Sequence, residues 1–344
     1  MIILKPFRVL ARSLVFSLLL TGGLRAAVAA NDAAVLGRWA LTIPTGAAGW
    51  LEVKKEGGWY DGSILWGGGS VLPLSSVTIE DGVLTVTRVR DVDRKNSAGQ
   101  VIRKQQQTET ITAQVTGDTM KLTRVAPRPN GQGFDRAEFT GRRIPALPPR
   151  PNLAKVKFGA ETALLNGRDL KGWRLVDPAT PNAWSIEKGA LVNRPAPRVP
   201  GATSPRAGNL RTDAEFEDFN LKLEVSVPEG SNSGVYLRGI YEIQIQDSLG
   251  KPLDSHNMGA LYSRITPSVG AEKPAGQWQT LDLTLVDRHL TVVLNGKTII
   301  DNQPVAGCTG GAMWSDESRP GPLFLQGDHG AVSYRNLVVR RVVK

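Results

Sequence analysis

The chain has 344 residues, 41% hydrophobic and 22% charged, with 37 Gly, 22 Pro and a single Cys, a globular composition that excludes collagen-like, disordered and disulfide-stapled classes. One core rarely keeps growing at this length, so two domains are expected. Lys and Arg outnumber Asp and Glu by 42 to 32, a formal +10, but the charges are interleaved and no nucleic-acid-binding motif accompanies them, so no nucleic-acid partner is expected.

Residues 1–29 read as a cleaved export signal: Lys5, Arg8 and Arg12, an apolar run from Leu14 to Leu20, then Ala27-Val28-Ala29 at the cleavage site. The run is much shorter than the roughly 20 residues that cross a bilayer, so no membrane anchor is expected in the mature chain. Losing Lys5, Arg8, Arg12 and Arg25 would take the charge from +10 to about +6. Cys308 is alone and has no partner for a disulfide within the chain. The expectation is a secreted, most simply periplasmic, protein.

The remainder reads as all-β, with short β-rich runs and no helical period sustained over three turns. Asp81-Gly82, Gly117-Asp118, Lys188-Gly189 and Asn295-Gly296 are two-residue turns between such runs, since Gly, Asn and Asp tolerate the positive φ of hairpin turns. Lys188 fits least well at that position. Residues 30–143 hold roughly eight candidate strands, expected to form a small β-barrel or sandwich. Gly37-Arg38-Trp39 resembles the Gly-x-Trp opening of lipocalin-like barrels, whose Trp plugs one end. Trp39, Trp50, Trp59 and Trp66 suit core packing better than a sugar-stacking surface. Gly67-Gly68-Gly69 reads as a turn, because no helix or Lys-Ser/Thr follows to make a phosphate loop. The Pro-rich stretch at 144–154 is expected to be an extended linker, leaving 155–344 for a two-sheet sandwich.

The most informative segment runs from Ser231 to Asp247. A three-residue loop at Gly239, Ile240 and Tyr241 would pair Arg238 with Glu242, Leu237 with Ile243, Tyr236 with Gln244 and Val235 with Ile245. That register sends Val235, Leu237, Ile243 and Ile245 to the core and gathers Tyr236, Arg238, Glu242, Gln244 and Gln246 on the other face. A face bearing an Arg, a Glu, two amides and a phenol suits a neutral polyhydroxylated ligand.

Leu165-Asn166-Gly167-Arg168-Asp169-Leu170-Lys171-Gly172-Trp173, Leu210-Arg211-Thr212, the hairpin around Asn232-Ser233-Gly234 and Tyr241-Glu242-Ile243, Gly259-Ala260-Leu261-Tyr262, Gly276-Gln277-Trp278-Gln279, Leu294-Asn295-Gly296 and Leu325-Gln326-Gly327-Asp328-His329-Gly330 resemble the 3-keto-disaccharide hydrolase family in order and spacing. The resemblance covers nearly all of the second half. It implies a concanavalin A-like lectin/glucanase jelly roll acting on 3-keto-glycosides. A ketone at carbon 3 acidifies the proton on carbon 2, so one base can remove it and expel the aglycone from carbon 1 by β-elimination. Hydration of the product would give net hydrolysis.

Glu242 is expected as the base or a metal ligand, Arg238 as its orienting or enolate-stabilising cation, Asp247 as a second carboxylate or equally as a turn cap at a strand end, and His329 as acid, base or ligand. Tyr236, Tyr241, Gln244, Tyr262, Gln326 and His256 are expected to contact substrate, whereas His289 reads as structural. No cofactor is required by the motifs. A divalent cation, if one is used, would fall to Glu242, Asp247 and His329, with no His-x-x-x-His, Cys pair or EF-hand loop behind that choice. The competing reading is a non-catalytic, lectin-like carbohydrate-binding protein. Oligomeric state is not legible.

Overall fold

The computed structural model describes residues 32–197 and 206–343; the expected export signal lies outside them. The first nine strands are β1 Gly37–Thr42, β2 Ala48–Glu56, β3 Trp59–Trp66, β4 Leu72–Pro73, β5 Ser76–Glu80, β6 Val83–Lys95, β7 Val101–Thr116, β8 Thr119–Pro127 and β9 Phe134–Arg143. They form one antiparallel sheet in the order β4-β3-β2-β1-β9-β8-β7-β6-β5. Leu74 N donates to Gly62 O at 2.9 Å and Ser75 N to Thr87 O at 2.9 Å, so the segment after β4 bonds β3 on one side and β6 on the other. That closes the sheet into a small barrel. Alternate residues such as Leu84, Val86, Ile111, Ala113, Met120 and Leu122 fill it, as the two-residue period of strands requires. Trp39 is fully buried there, donates Nε1–H to Val35 O at 3.0 Å and is covered by the Arg143 guanidinium, 4.2 Å from its ring centre.

After a single 3₁₀ turn at Leu153–Lys155, the second half contributes β10 Thr162–Ala163, β11 Trp173–Leu175, β12 Trp184–Glu187, β13 Ala190–Asn193, β14 Leu210–Phe216, β15 Phe219–Ser226, β16 Asn232–Leu237, β17 Tyr241–Gln246, β18 Gln279–Val286, β19 His289–Leu294, β20 Lys297–Pro304, β21 Gly321–Leu325 and β22 Val332–Arg341. One sheet runs β12-β13-β22-β15-β18-β19-β20, with β10 on β22, and the other runs β11-β14-β21-β16-β17. The chain crosses repeatedly from one sheet to the other, giving the concanavalin A-like jelly-roll sandwich that the sequence resemblance implies. Leu221, Leu223, Leu281 and Leu283 of the first sheet face Val235, Leu237, Ile243 and Ile245 of the second across one apolar core. Ala48, Trp50, Leu65 and Ile144 of the barrel belong to the same cluster. Trp50 is also stacked on Arg264, 4.1 Å from its ring centre, and the Arg264 guanidinium is held by the carbonyls of Ala306 and Cys308. Barrel and sandwich thus share a packed seam.

All four two-residue turns close hairpins. The Asp287-Arg288 turn between β18 and β19 has no glycine, yet both residues take positive φ, 48° and 55°; the Arg288 side chain is tied to the carbonyls of Pro145 and Ala146 and to Glu317, contacts that local sequence does not reveal. Of the four Trp considered for a sugar surface, Trp39 and Trp50 are buried, Trp66 is half-buried beneath Arg88 and Trp59 is 80% exposed, so they form no common face.

Lys188 is exposed and held at φ 50°, a conformation that Asn adopts more readily than Lys. Lys188→Asn is expected to stabilise the protein by about 0.5–1 kcal/mol, a rise in Tm of about 1–3 °C by calorimetry; an unchanged or lowered Tm would contradict the strain.

Candidate functional site

The β16–β17 hairpin determines the site. Its pairs are Leu237 with Tyr241, Tyr236 with Glu242, Val235 with Ile243 and Gly234 with Gln244. The loop is therefore Arg238-Gly239-Ile240, one position earlier than the sequence reading placed it. This moves each pairing by two residues, and an even shift leaves every strand side chain on its expected face. Val235, Leu237, Ile243 and Ile245 are all fully buried between the sheets, while Tyr236, Glu242 and Gln244 face a cavity of about 350 Å³ on the opposite side.

Glu242 sits at the base of this cavity, 3% exposed. Gly234 across the ladder makes room for it: a Cβ there would lie 2.3 Å from Glu242 Oε1. Burial pushes the Glu242 carboxyl up to about 8, and the negative charge of Asp328 acts in the same direction. Tyr236 lies within hydrogen-bonding contact of this carboxyl and donates its own hydroxyl proton to Gly310 O at 2.7 Å. The Tyr236 hydroxyl beside Glu242 acts in the opposite direction, favouring the ionised carboxyl, but burial outweighs it. Tyr236 is fixed in turn by Phe324, stacked at 4.2 Å.

The opposite wall comes from the loop between β21 and β22. Asn193 Nδ2 donates to Gly327 O at 2.8 Å and Gly330 O at 3.0 Å, and Gly327 N donates to Asn209 Oδ1 at 2.8 Å. These bonds hold Asp328 and His329 at the rim. The His329 Nδ1 edge is 2.7 Å from Asp328 Oδ1, and Arg206 Nη1 is 3.3 Å from Asp328 Oδ2. Burial pushes the Asp328 carboxyl up, but His329 and Arg206 outweigh it and hold Asp328 below the usual carboxylate range. An ionised Asp328 retains the proton on His329 Nδ1 and leaves Nε2 as the basic nitrogen. Gln244 and Gln326 also line the cavity, and the side-chain oxygens of both are buried without a hydrogen-bond partner among the described residues. Two acceptors of this kind match the hydroxyl donors of a sugar.

Glu242, His329, Tyr236, Gln244, Tyr262 and Gln326 all line this one cavity. Arg238 does not. It sits in the hairpin loop at φ 57° and donates to the backbone oxygens of Glu317 at 2.7 Å and Arg319 at 2.5 Å, so it clamps a loop instead of facing Glu242. Asp247 is also outside, accepting from Gly230 N at 3.0 Å as a turn cap. The metal-ligand trio of Glu242, Asp247 and His329 is therefore not assembled, and no group of three or more His, Cys, Asp or Glu side chains suited to a metal occurs among the described residues. Tyr241 is fully buried on the core side and donates to Glu317 Oε2 at 3.1 Å. His256 stands behind the wall, edge-on to Tyr262 with ring centres 4.8 Å apart. Sequence reasoning left out Asp328 and Arg206, although Asp328 lies within a quoted motif beside His329. It also dismissed Gly68 and Gly69, which reach the cavity from the barrel.

The profile of the 3-keto-alpha-glucoside-1,2-lyase-like domain matches residues 160–340. Comparison with curated proteins gives no match. Among solved structures, two proteins of Parabacteroides distasonis provisionally described as glycosyl hydrolases are similar. One is 24% identical, covering 58% of this chain and 93% of that one with a TM-score of 0.42; the other is 19% identical, covering 53% and 94% with a TM-score of 0.42. The carbohydrate-binding module CBM66 of Bacillus subtilis is 12% identical, covers 48% of this chain and 93% of its own, and has a TM-score of 0.32.

Two predictions concern the buried carboxyl. In the fold Glu242 stays neutral until about pH 8, whereas the ordinary value is 4.5, so its favourable contribution is full below 4.5 and is lost as pH rises toward 8. Glu242→Gln has no such loss, and its Tm relative to the wild type should climb steadily between pH 4 and pH 8; a difference independent of pH would show that Glu242 is ionised in the fold. Gly234→Ala should displace the Glu242 carboxyl while leaving the strands paired, lowering activity at least about tenfold with an unchanged circular dichroism spectrum; wild-type activity would contradict the close packing.

Proposed function

The chain belongs to the 3-keto-alpha-glucoside-1,2-lyase-like family, with its profile spanning residues 160–340, and on that footing we propose that this carbohydrate-active enzyme cleaves 3-keto-glycosides by β-elimination. The observation that carries the proposal is the pairing, across one cavity, of a carboxyl held protonated at neutral pH with an imidazole oriented by an ionised carboxylate. Groups with ionisation pushed apart in this way are the usual division of labour between acid and base.

His329 Nε2 removes the proton from carbon 2, and the electron pair moves onto the carbon 3 oxygen as an enolate. As the carbonyl re-forms, a double bond develops between carbons 1 and 2 and the glycosidic bond breaks. Glu242 delivers its proton to the departing aglycone oxygen. The unsaturated ketose retains its ketone, and addition of water across the double bond gives net hydrolysis. Gln244 and Gln326 accept hydrogen bonds from ring hydroxyls, and Arg206 offers a cation at the cavity edge for the enolate charge. This reverses the sequence expectation for Glu242: a carboxyl protonated at pH 7 serves as acid, and the base is His329. We place the enzyme outside the cytoplasm, on the export signal read in residues 1–29. Among the described residues, no helix is long and apolar enough to cross a membrane.

The test compares a chromogenic 3-keto-glucoside with its unoxidised parent. Turnover of the keto form alone is expected, with loss above about pH 8 as Glu242 ionises. Glu242→Gln should reduce turnover about 10²-fold or more while retaining binding, and the residual activity should lack the alkaline limb. Equal activity on both substrates would defeat the elimination route, and a binding protein with no turnover at all would defeat the enzymatic reading.

A further inference from the structure

The segment between β3 and β4, Gly67 to Val71, leaves the barrel and reaches the cavity of the sandwich. Gly68 and Gly69 line that cavity near Tyr262 and Gly311. Gly311 N donates to Gly67 O at 3.2 Å, and a Cβ on Gly310 would lie 2.1 Å from Gly69 O, so the two backbones touch with no room for a side chain on Gly310. Ser70 Oγ is 2.8 Å from His256 Nε2, and Val71 N donates to Ser263 Oγ at 2.9 Å. His256 is fixed at Nδ1 by Asp254 and supports Tyr262 from behind. Because the carboxylate of Asp254 holds the proton on Nδ1, Nε2 accepts and Ser70 donates. The apolar seam of Ala48, Trp50 and Leu65 brings the barrel to this position.

We propose that the barrel supplies one wall of the catalytic cavity, that the Ser70–His256 hydrogen bond latches this wall, and that the wall selects glycosides whose oxidised sugar carries no substituent on the edge facing Gly68 and Gly69. The aglycone oxygen then meets Glu242 at the cavity base while the rest of the aglycone leaves past His329 and Arg206, which are exposed at the rim. A 3-keto unit bearing further sugar on the walled edge, as inside a polymer, does not fit. The substrate clause rests on the 3-keto-glycoside reading above; the latch does not. Ser70, His256 and Asp254 have the order of a nucleophile relay, but Asp254 is 58% exposed, unlike the buried carboxylate of such a relay.

The experiment uses the full chain as wild type, Ser70→Ala and Gly68→Trp. Gly68 has no atom within 4 Å of its would-be Cβ and no positive φ, so Trp is accepted by the backbone and extends from the cavity wall. Without any sugar, hydrogen exchange at the amides of residues 67–71 should be faster in Ser70→Ala by about two- to tenfold, the value of one hydrogen bond. With a small 3-keto-glucoside, Ser70→Ala should raise KM more than it lowers kcat, and Gly68→Trp should weaken binding at least about tenfold with an unaltered Tm. Unchanged exchange and KM in Ser70→Ala would overturn the latch, and unchanged binding in Gly68→Trp would overturn the wall. Covalent labelling of Ser70 by a fluorophosphonate, with parallel loss of turnover, would make Ser70 a nucleophile and also overturn the latch. Should the wild type turn over no 3-keto-glycoside, the substrate clause falls with the reaction, while the exchange comparison still decides the latch.

Discussion

A carboxyl group taken out of water must be paired with a cation or keep its proton. Glu242 is buried at 3% exposure with a carboxylate, Asp328, as its charged neighbour, so it keeps its proton. The rest of the site is arranged around that neutral acid. Gly234 leaves the space that it fills, and Tyr236, tied to Gly310 O, stands beside it. The same low-dielectric pocket strengthens each hydrogen bond that a sugar would make to Gln244 and Gln326.

The wider fold exists, for this purpose, to hold two walls still. The inner face of the β16–β17 hairpin is locked into the core by Val235, Leu237, Ile243 and Ile245, so its outer face presents Tyr236 and Glu242 in fixed register. The rim loop carries no regular structure of its own, but Asn193 and Asn209 bind its backbone at both ends and thereby orient the Asp328–His329 pair. The single buried Cys308, whose thiol burial pushes up to about 12, is inert at physiological pH and belongs to the scaffold.

Much of this was written in local patterns. Strand alternation and turn chemistry located the all-β fold, the four two-residue turns and the two faces of the hairpin. The register slipped by two because segregation of faces cannot separate registers of the same parity; Arg238 takes positive φ in the loop with its guanidinium bound by the backbone oxygens of Glu317 and Arg319, far away in sequence. Parity spared Glu242 from the error and exposed Arg238 to it. Asp247 takes the turn-cap role that its strand-end position equally allowed, whereas Tyr241 was misjudged for a related reason: a core phenol looks like a site residue until tertiary contacts are known. The glycines at 67–69 were read as a turn, which they are, but no local signal says that a turn abuts a cavity some 170 residues further along the chain. The neutrality of Glu242 depends on its burial and on the nearby Asp328 charge, both properties of the assembled fold.

The central claim is that Glu242 is a neutral acid in the working pH range. Infrared difference spectroscopy of the wild type minus Glu242→Gln, with 13C-labelled glutamate, reads the carbonyl stretch of that one protonated carboxyl directly. The account predicts that the band persists through pH 7 and gives way to the carboxylate band near pH 8. A carboxylate band already complete at pH 6 would contradict it.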